Sequence, residues 1–369
     1  VHERSLEADL PQAFCLDLQR TQRPDLRLVA MSATAETERL ASLMNAPVLT
    51  SEGRMFALDI HHTKKDIPTL RDIAPATAAG IRQALAETTG DILAFLPGTG
   101  EIRRTTQLLD GISATVLPLH GELHPAEQAR VLCPADKGER RVILATSIAE
   151  TSLTVPGVRV VVDCGYRRAP RFDAGAGLSR LDTLRISKAA ARQRAGRAGR
   201  EAPGTAYCLW SASTQRAMPQ HDRPEILEAD LADYVLATAL WADTSATTYP
   251  LPLPYQPPVS AVAAARDLLE QLGALDDAGR ITQAGRHMAQ LGTHPRLAAM
   301  LLAARTAEEA AMAADMAALL EERDPLRPRQ SAQGRPPAPP PAALGGRGGR
   351  RGGEEPPAAG RATRRRRRG

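Results

Sequence analysis

Short apolar runs alternate with longer amphipathic stretches up to about residue 210, and no other feature limits the possible folds as strongly. The short runs predict strands and the stretches between them predict helices, so we expect an α/β fold built from βα units around a parallel sheet. The predicted strands cover residues 26–31, 92–96, 115–119, 142–145, 158–163 and 206–210.

Three of these strands are followed by loops of small and hydroxyl-bearing residues, which read MSATAE, LPGTGE and ATSIAETS. Ligands of open α/β sheets bind at the carboxyl ends of the strands, so we expect a site at these loops. Gly98 lets a ligand approach the backbone closely, and the start of a helix attracts anions. A simple N-cap explains one hydroxyl residue but not a cluster. The cluster consists of Thr146, Ser147, Thr151 and Ser152.

The segment QRAGRAGR, residues 193–200, carries three arginines at a spacing of three, with alanine and glycine between them. On a helix this spacing places Arg197 and Arg200 on neighbouring parts of one face. The planar guanidinium group of arginine suits phosphate oxygens, so the segment predicts a phosphate site. The alternative is a solvated basic helix.

After residue 210, apolar residues recur at spacings of three and four, which predicts helices. Between two of these helices, GALDDAGRITQAGR predicts a turn followed by a short strand, as in a small wing. From about residue 328 the chain consists mainly of Pro, Gly, Ala and Arg without periodicity, which predicts disorder.

The net charge of +5 is unevenly distributed. Residues 327–369 hold twelve arginines and two glutamates, so the preceding part of the chain is acidic overall, and local clusters indicate more than total charge. The sequence has no apolar run of membrane length and starts with charged residues, so we expect a soluble cytoplasmic protein that does not bind membranes. Its four cysteines form no C-x-x-C pair, and we expect buried thiols rather than zinc ligands or disulfides.

Taken together, the motifs resemble those of a known enzyme family. VHERS, MSATAE, LAFLPGTGEI, LPLHGELHPAEQ, ATSIAETSLTVPGV, VVDCG and QRAGRAGR follow one another as the motifs of superfamily 2 DEAH-box helicases do. The stretch YRRAPRFDAGAGLSRLDTLRISKAAARQRAGRAGR is most similar to bacterial HrpB-type ATP-dependent RNA helicases. The resemblance extends over residues 1–326.

The resemblance implies two RecA-like domains of the P-loop NTPase type that clasp ATP, followed by a winged helix and a helical bundle called the ratchet. Residues 1–51 would be the carboxyl-terminal remnant of the first RecA-like domain, and residues 52–212 the second RecA-like, or helicase C-terminal, domain. Residues 213–290 would form the winged helix, residues 291–326 the start of the ratchet, and residues 327–369 a disordered tail.

The resemblance also implies residue roles. Gln193 would position the attacking water, and Arg197 and Arg200 would be arginine fingers on the γ-phosphate. The residues that would bind nucleotide or couple it to domain closure are His2, Ser32, Thr34, Asp163 and Arg194. The residues that would contact RNA are Gly98, Thr146, Ser147, Thr151 and Ser152, with Arg167, Arg168 and Arg171 on or near a strand-separating β-hairpin. The alternative for these last three is an ordinary solvated hairpin. No metal ligand is predicted.

The family's ATP site also needs a loop ending in Gly-Lys-Ser/Thr and an Asp-Glu pair for Mg²⁺. The sequence contains no such loop, and Val1 and His2 follow the place where the two acids would stand. We therefore expect a helicase fragment that binds single-stranded nucleic acid, RNA by resemblance, and is inactive alone, because ATP and Mg²⁺ belong to the intact family. A non-catalytic single-stranded RNA-binding module and an unexpressed gene remnant are the alternatives. The tail is either an RNA-binding Arg-Gly-Gly segment or a frame-shifted translation.

Overall fold

The computed structural model describes residues 4–32, 37–51, 56–136, 138–151, 153–173, 178–244 and 250–321. The first helices, α1 (Leu6–Thr21) and α2 (Thr37–Met44), precede the sheet. The strands of the sheet are β1 (Leu58–His62), β2 (Asp91–Phe95), β3 (Thr115–Leu119), β4 (Arg141–Ala145) and β5 (Val158–Asp163), and a later strand completes it. The helices between these strands are α3 (Ile73–Glu87), α4 (Thr99–Leu108), α5 (Pro125–Leu132) and α6 (Ile148–Thr151).

Two strands form a hairpin outside the sheet, β6 (Tyr166–Asp173) and β7 (Leu178–Arg185), and pair antiparallel. The hairpin predicted from the sequence is therefore present. It starts at Gly165, whose φ of +79° favours glycine, and a Cβ at this position would lie 2.8 Å from the ring of Trp210. Helix α7 (Lys188–Ala195) follows the hairpin and leads to β8 (Gly204–Cys208).

The described strands form a six-stranded sheet in the order β1-β8-β5-β2-β4-β3, and every pairing is parallel. All five residues of both β2 and β4 are buried, as expected for strands covered on both faces. One face packs Ile92 and Leu144 into a core that includes Ile81 of α3 and Ile102 of α4. The other face packs Phe95 and neighbouring residues against α5, α6 and α7. The α/β fold predicted from the sequence is confirmed.

Residues 26–31 are irregular rather than a strand, so this prediction is wrong. A strand requires a neighbouring strand to which its backbone is hydrogen-bonded, and none of the described strands forms such a ladder with this stretch. Val29 and Met31 are more than four-fifths exposed. Strand β1, which the sequence did not reveal, instead pairs with β8 at the edge of the sheet.

The second part of the described chain is helical. Its helices are α8 (Ala212–Ala217), α9 (Ala232–Thr244), α10 (Val259–Gln271), α11 (Gln283–Leu291), α12 (Pro295–Ala303) and α13 (Ala307–Glu321). Helices α9 to α12 enclose a core that includes Leu236, Leu269 and Met288. Helix α1 contributes Ala13 to the same core, and Phe14 stacks on Trp241 with the ring centroids 4.4 Å apart. Helix α1 therefore packs with the predicted winged helix, and the predicted domain boundaries stay predictions.

The predicted wing strand is reduced to a single antiparallel bridge between Leu275 and Ile281. The Asp276 carboxylate accepts hydrogen bonds from the backbone N–H groups of Ala278 and Arg280, so the turn closes before a longer ladder forms. The chain divides into two units, residues 1–317 and residues 318–369, and the first is compact. Of the second unit, the structure describes residues 318–321.

The cysteines divide into two groups. Cys164 and Cys208 are buried as expected, whereas Cys15 is half-buried and Cys133, at the end of α5, is exposed. The expectation of uniformly buried thiols is therefore wrong. Among the described helices, none is both long enough and apolar enough to cross a membrane.

Candidate functional site

The carboxyl ends of β2, β4 and β5 bring several predicted site residues to one edge of the sheet. These strands are neighbours, and Phe95 is in register with Ala145 on one side and Asp163 on the other. The loop after β2 ends at Gly98, the N-cap of α4. The loop after β4 contains Thr146 and Ser147, and the backbone N–H of Thr146 donates to the carbonyl of Leu119 at 3.1 Å. Two of the three loops predicted to form the site, LPGTGE and ATSIAETS, therefore lie at this edge. The third, MSATAE, follows no strand of the described sheet, and most of it lies outside the described residues.

Arg194 of α7 lies inside this edge rather than on its surface, with a side chain only 1% exposed. Its Nε atom donates to Glu150 Oε2 at 3.0 Å, and Nη1 donates to Asp163 Oδ1 at 3.0 Å and to the carbonyl of Tyr166 at 3.2 Å. The guanidinium carbon lies 4.9 Å from the centroid of the Phe95 ring. Arg194 therefore links the last residue of β5 and the first residue of β6 to α6.

The charges of this cluster do not balance, because two carboxylates share one arginine. Burial raises the pKa of Asp163 and of Glu150, although Arg194 opposes this shift. Burial alone would lower the pKa of Arg194, but the two carboxylates outweigh it and raise the pKa above its ordinary value. Asp163 Oδ1 also accepts from the backbone N–H of Gly165 at 2.8 Å, whereas its buried Oδ2 makes no hydrogen bond with any residue that the structure describes.

Arg197 and Arg200, the two predicted arginine fingers, lie in different environments. The Arg197 guanidinium donates to the carbonyl of Leu153 at 2.8 Å and, from Nε, to that of Glu150 at 3.0 Å. Burial, reinforced by the charge of Arg200, lowers the pKa of Arg197 to about 10. Arg200 is exposed, and its Nη1 donates to Thr154 Oγ1 at 2.6 Å. In this arrangement Arg197 is bound to backbone carbonyls, while Arg200 is accessible.

The hairpin arginines pair with three different carboxylates. Arg167 Nη2 lies 3.5 Å from Asp222 Oδ1, and Arg168 Nη2 lies 3.5 Å from Glu101 Oε2. Arg171 Nη1 lies 4.0 Å from an Asp182 oxygen across the hairpin, and its side chain is 57% exposed. Of the three hairpin arginines that were predicted to contact RNA, Arg171 therefore has the most exposed side chain.

Comparison with known proteins agrees with this geometry. Residues 77–202 match the helicase conserved C-terminal domain, and residues 265–293 match the winged-helix helicase associated domain HA2. The Escherichia coli K12 protein ATP-dependent RNA helicase HrpB is 43% identical over 327 residues, which cover 87% of this chain and 40% of that relative. A crystal structure of E. coli DEAH/RHA helicase HrpB covers 89% of this chain and 41% of its own, with a TM-score of 0.81 and 42% identity. This chain belongs to the DEAH-box helicases of the HrpB type.

The relationship extends to eukaryotic members. The Saccharomyces cerevisiae protein named probable ATP-dependent RNA helicase DHR2 is 35% identical over 315 residues, covering 82% of this chain and 42% of that relative. The chain spans about two-fifths of the length of these curated relatives.

Several predicted helicase positions fall outside the described residues. These are His2, Thr34 and Ser152, together with the side chain of Thr151 and all of residues 327–369. Ser32 is half-buried next to residues that are not described, and Gln193 is half-buried in the last turn of α7. No group of three His, Cys, Asp or Glu side chains able to hold a metal occurs within the described part of the chain. The roles assigned to all these positions stay predictions.

Sequence reasoning missed the acidic partners. Glu150 lies within the motif ATSIAETS, Glu101 within LPGTGEI, and Asp222 follows β8 at a distance, yet each faces an arginine of the site. The available signal was chemical. An arginine that is buried beside the sheet requires a carboxylate, and the neighbouring motifs contain few acids.

Proposed function

We propose that the protein forms the carboxyl-terminal part of an ATP-dependent RNA helicase motor. In this role it would offer Arg200 to the phosphates of ATP and the loop and hairpin residues to single-stranded RNA. The observation that supports this proposal most strongly is the common sheet edge, where Gly98, Thr146, Ser147 and Asp163 lie together with the segment 193–200 anchored beneath them by Arg194.

The described residues fit one part of an ATP site. Arg200 is an exposed cation that can approach a phosphate, whereas Arg197 would first have to leave the carbonyls of residues 150 and 153. Bound ATP would supply the phosphoanhydride bond of the reaction. The sequence contains no Gly-Lys-Ser/Thr loop, so this part would come from elsewhere in the motor.

The proposal also assigns an RNA surface. Thr146 and exposed Ser147 would contact the sugar-phosphate backbone, and exposed Arg171 would add a charge. Backbone contacts suit a motor that moves along RNA independently of its sequence, because phosphates carry no base information.

The test joins this chain to the ATP-binding domain of E. coli HrpB. We expect the chimera to hydrolyse ATP in response to RNA, Arg200→Ala to abolish this activity, and Arg192→Ala, an exposed arginine on α7, to preserve it. We expect the 369-residue protein alone to show no RNA-stimulated hydrolysis. Hydrolysis by the protein alone that is lost in Arg197→Ala would contradict the proposal, since it requires a complete site within this chain.

A second function, a non-catalytic RNA-binding module, is favoured by the exposed hairpin arginines, which need no nucleotide to act. An inactive chimera together with salt-sensitive RNA binding by the 369-residue protein would support this function instead. If removal of residues 327–369 abolished RNA binding completely, the binding would belong to the tail. This result would contradict an RNA-binding role of the described residues in either a helicase motor or a non-catalytic module.

A further inference from the structure

Two adjacent arginines at the start of β6 lie on opposite faces of the hairpin. Side chains alternate along a strand, and in the antiparallel register Arg167 pairs with Leu184 while Arg168 pairs with Thr183. Arg167 therefore shares a face with Arg171, and Arg168 lies on the other. The two arginines meet different parts of the protein.

Arg168 fills a space that Gly98 leaves open. A Cβ at position 98 would lie 2.8 Å from the guanidinium carbon of Arg168, 2.9 Å from Nη1 and 3.0 Å from Nε. Gly98 has φ −163° and ψ 177°, an extended conformation that any residue adopts. The backbone at position 98 therefore does not require glycine, whereas the packed guanidinium group does.

A carboxylate stands beside this contact. Glu101, in the first turn of α4, places Oε2 3.5 Å from Arg168 Nη2, and this oxygen is buried without a hydrogen bond to the rest of the described chain. A buried carboxylate oxygen without a donor is unfavourable, so the nearby guanidinium charge stabilises it. Arg168 is thus held both by shape at Gly98 and by charge at Glu101.

Arg167 makes the matching contact on the opposite face. Its Nη2 lies 3.5 Å from Asp222 Oδ1, and its side chain is only 26% exposed. The Asp222 carbonyl also accepts from Nη1 of Arg4, at 2.7 Å. Nearby, the backbone N–H of Lys188 donates to the carbonyl of Pro219 at 2.9 Å. The base of the hairpin is therefore attached to α4 on one face and to residues 219–222 on the other.

We propose that Arg168 is a positioning residue rather than an RNA ligand, and that its packing against Gly98, opposite the Arg167–Asp222 pair, fixes the base of the hairpin. This inference rests on the proposed function, because it reassigns two expected RNA contacts, Gly98 and Arg168, to each other. The hairpin then presents exposed Arg171 to RNA in one orientation. Because the guanidinium group can swing aside, a side chain at position 98 would displace Arg168 rather than unfold the protein.

The first test is a double-mutant cycle on the full 369-residue protein, measured by amide hydrogen exchange of β6 and β7. We expect Gly98→Ala and Arg168→Ala to raise exchange at the hairpin base to the same extent, and the double variant to exchange no faster than either single one. Gly100→Ala is the matched control, since a Cβ there meets nothing within 4 Å. Additive effects, or an unchanged hairpin in Gly98→Ala, would overturn the inference.

The second test measures binding of a fluorescein-labelled oligouridylate at several salt concentrations. A positioning role predicts weaker binding in Arg168→Ala with an unchanged dependence on salt, whereas Arg171→Ala reduces the slope of log K against log salt by about 0.7. A reduced slope in Arg168→Ala would make it an RNA ligand and overturn the inference. If the unaltered protein binds no RNA, the proposed function fails, and the exchange cycle still decides whether Gly98 and Arg168 act together.

Discussion

The sheet holds a buried arginine–carboxylate cluster at each end of its central strands, and the two clusters are built differently. At the amino ends, Arg141 Nη2 lies 2.7 Å from Asp91 Oδ2, and both side chains are almost fully buried. Asp91 Oδ1 accepts from the backbone N–H of Arg141 at 2.8 Å. Arg141 also donates to the carbonyls of Cys133 and Pro156, so both members of the pair are fully engaged.

At the carboxyl ends, Arg194 serves both Asp163 and Glu150, and Asp163 Oδ2 stays without a hydrogen bond among the described residues. The cluster at the amino ends pairs one arginine with one carboxylate, and we call it the closed cluster. The cluster at the carboxyl ends has two carboxyl groups for one arginine, and we call it the open cluster. Natural proteins depart from full polar satisfaction mainly at functional sites. The comparison therefore separates a fully paired end of the sheet from an end with an unpaired carboxylate oxygen, and the second is the end proposed to bind ATP and RNA.

Among the carboxylate substitutions, removing Asp91 should produce the largest effect. Asp91→Ala leaves the Arg141 guanidinium buried without its counter-charge, and breaking such a pair costs about 3–5 kcal/mol in the free energy of unfolding. Urea denaturation of the full chain measures this value. The control is Asp25→Ala, which removes an exposed ion pair with Arg23 and should leave stability unchanged. If the two variants lost the same free energy of unfolding, the closed cluster would contribute no more to stability than an exposed ion pair.

Asp163→Asn should have a smaller effect, of about 1–3 kcal/mol in the free energy of unfolding, because Glu150 still neutralises Arg194 and the amide oxygen can accept both hydrogen bonds. Its pH dependence is more informative. Burial raises the pKa of Asp163 above its ordinary 3.8, so the folded protein binds this proton more tightly than the unfolded chain. The resulting stability is present below the ordinary pKa and is lost as pH rises through the raised one.

Asp163→Asn should therefore make the decline of stability with rising pH shallower, measured as the thermal unfolding midpoint at a series of pH values. A residual decline from Glu150 is expected, since burial raises the pKa of that carboxyl as well. A variant as pH-sensitive as the unaltered protein would show that the open cluster does not titrate as inferred.

The sequence predicted the central strands well because they are covered on both faces and consist almost entirely of apolar residues. Strand β1 escaped prediction because it lies at the sheet edge and reads LDIHH, with three of its five residues exposed. The stretch 26–31 has the apolar composition of a strand, but composition cannot supply the neighbouring strand that a ladder needs.

The sequence predicted the motifs of the candidate site but not the contacts that their side chains make with one another. The segment 193–200 stood out by its spacing, yet nothing in that spacing distinguished buried Arg194 from exposed Arg200. The difference comes from Glu150 and Asp163, which lie 44 and 31 residues away in sequence and reach Arg194 only through packing of the sheet. Similarly, Gly98 and Arg168 were predicted separately as RNA contacts, and their mutual packing depends on where the hairpin folds.

Arg200→Ala should have the smallest effect on stability, and it tests the contrast between the buried open cluster and the exposed arginine that follows it on the same segment. Its side chain is exposed, so its removal should change the free energy of unfolding by no more than about 0.5 kcal/mol in urea denaturation. Arg194→Ala, six residues earlier, would leave two buried carboxylates without a counter-charge and should be severely destabilising at neutral pH. Protonation at lower pH should recover part of that loss, because both carboxyl pKa values are already raised. A large stability loss in Arg200→Ala would mean that Arg200 supports the fold, and its proposed availability to a phosphate would then lack a structural basis.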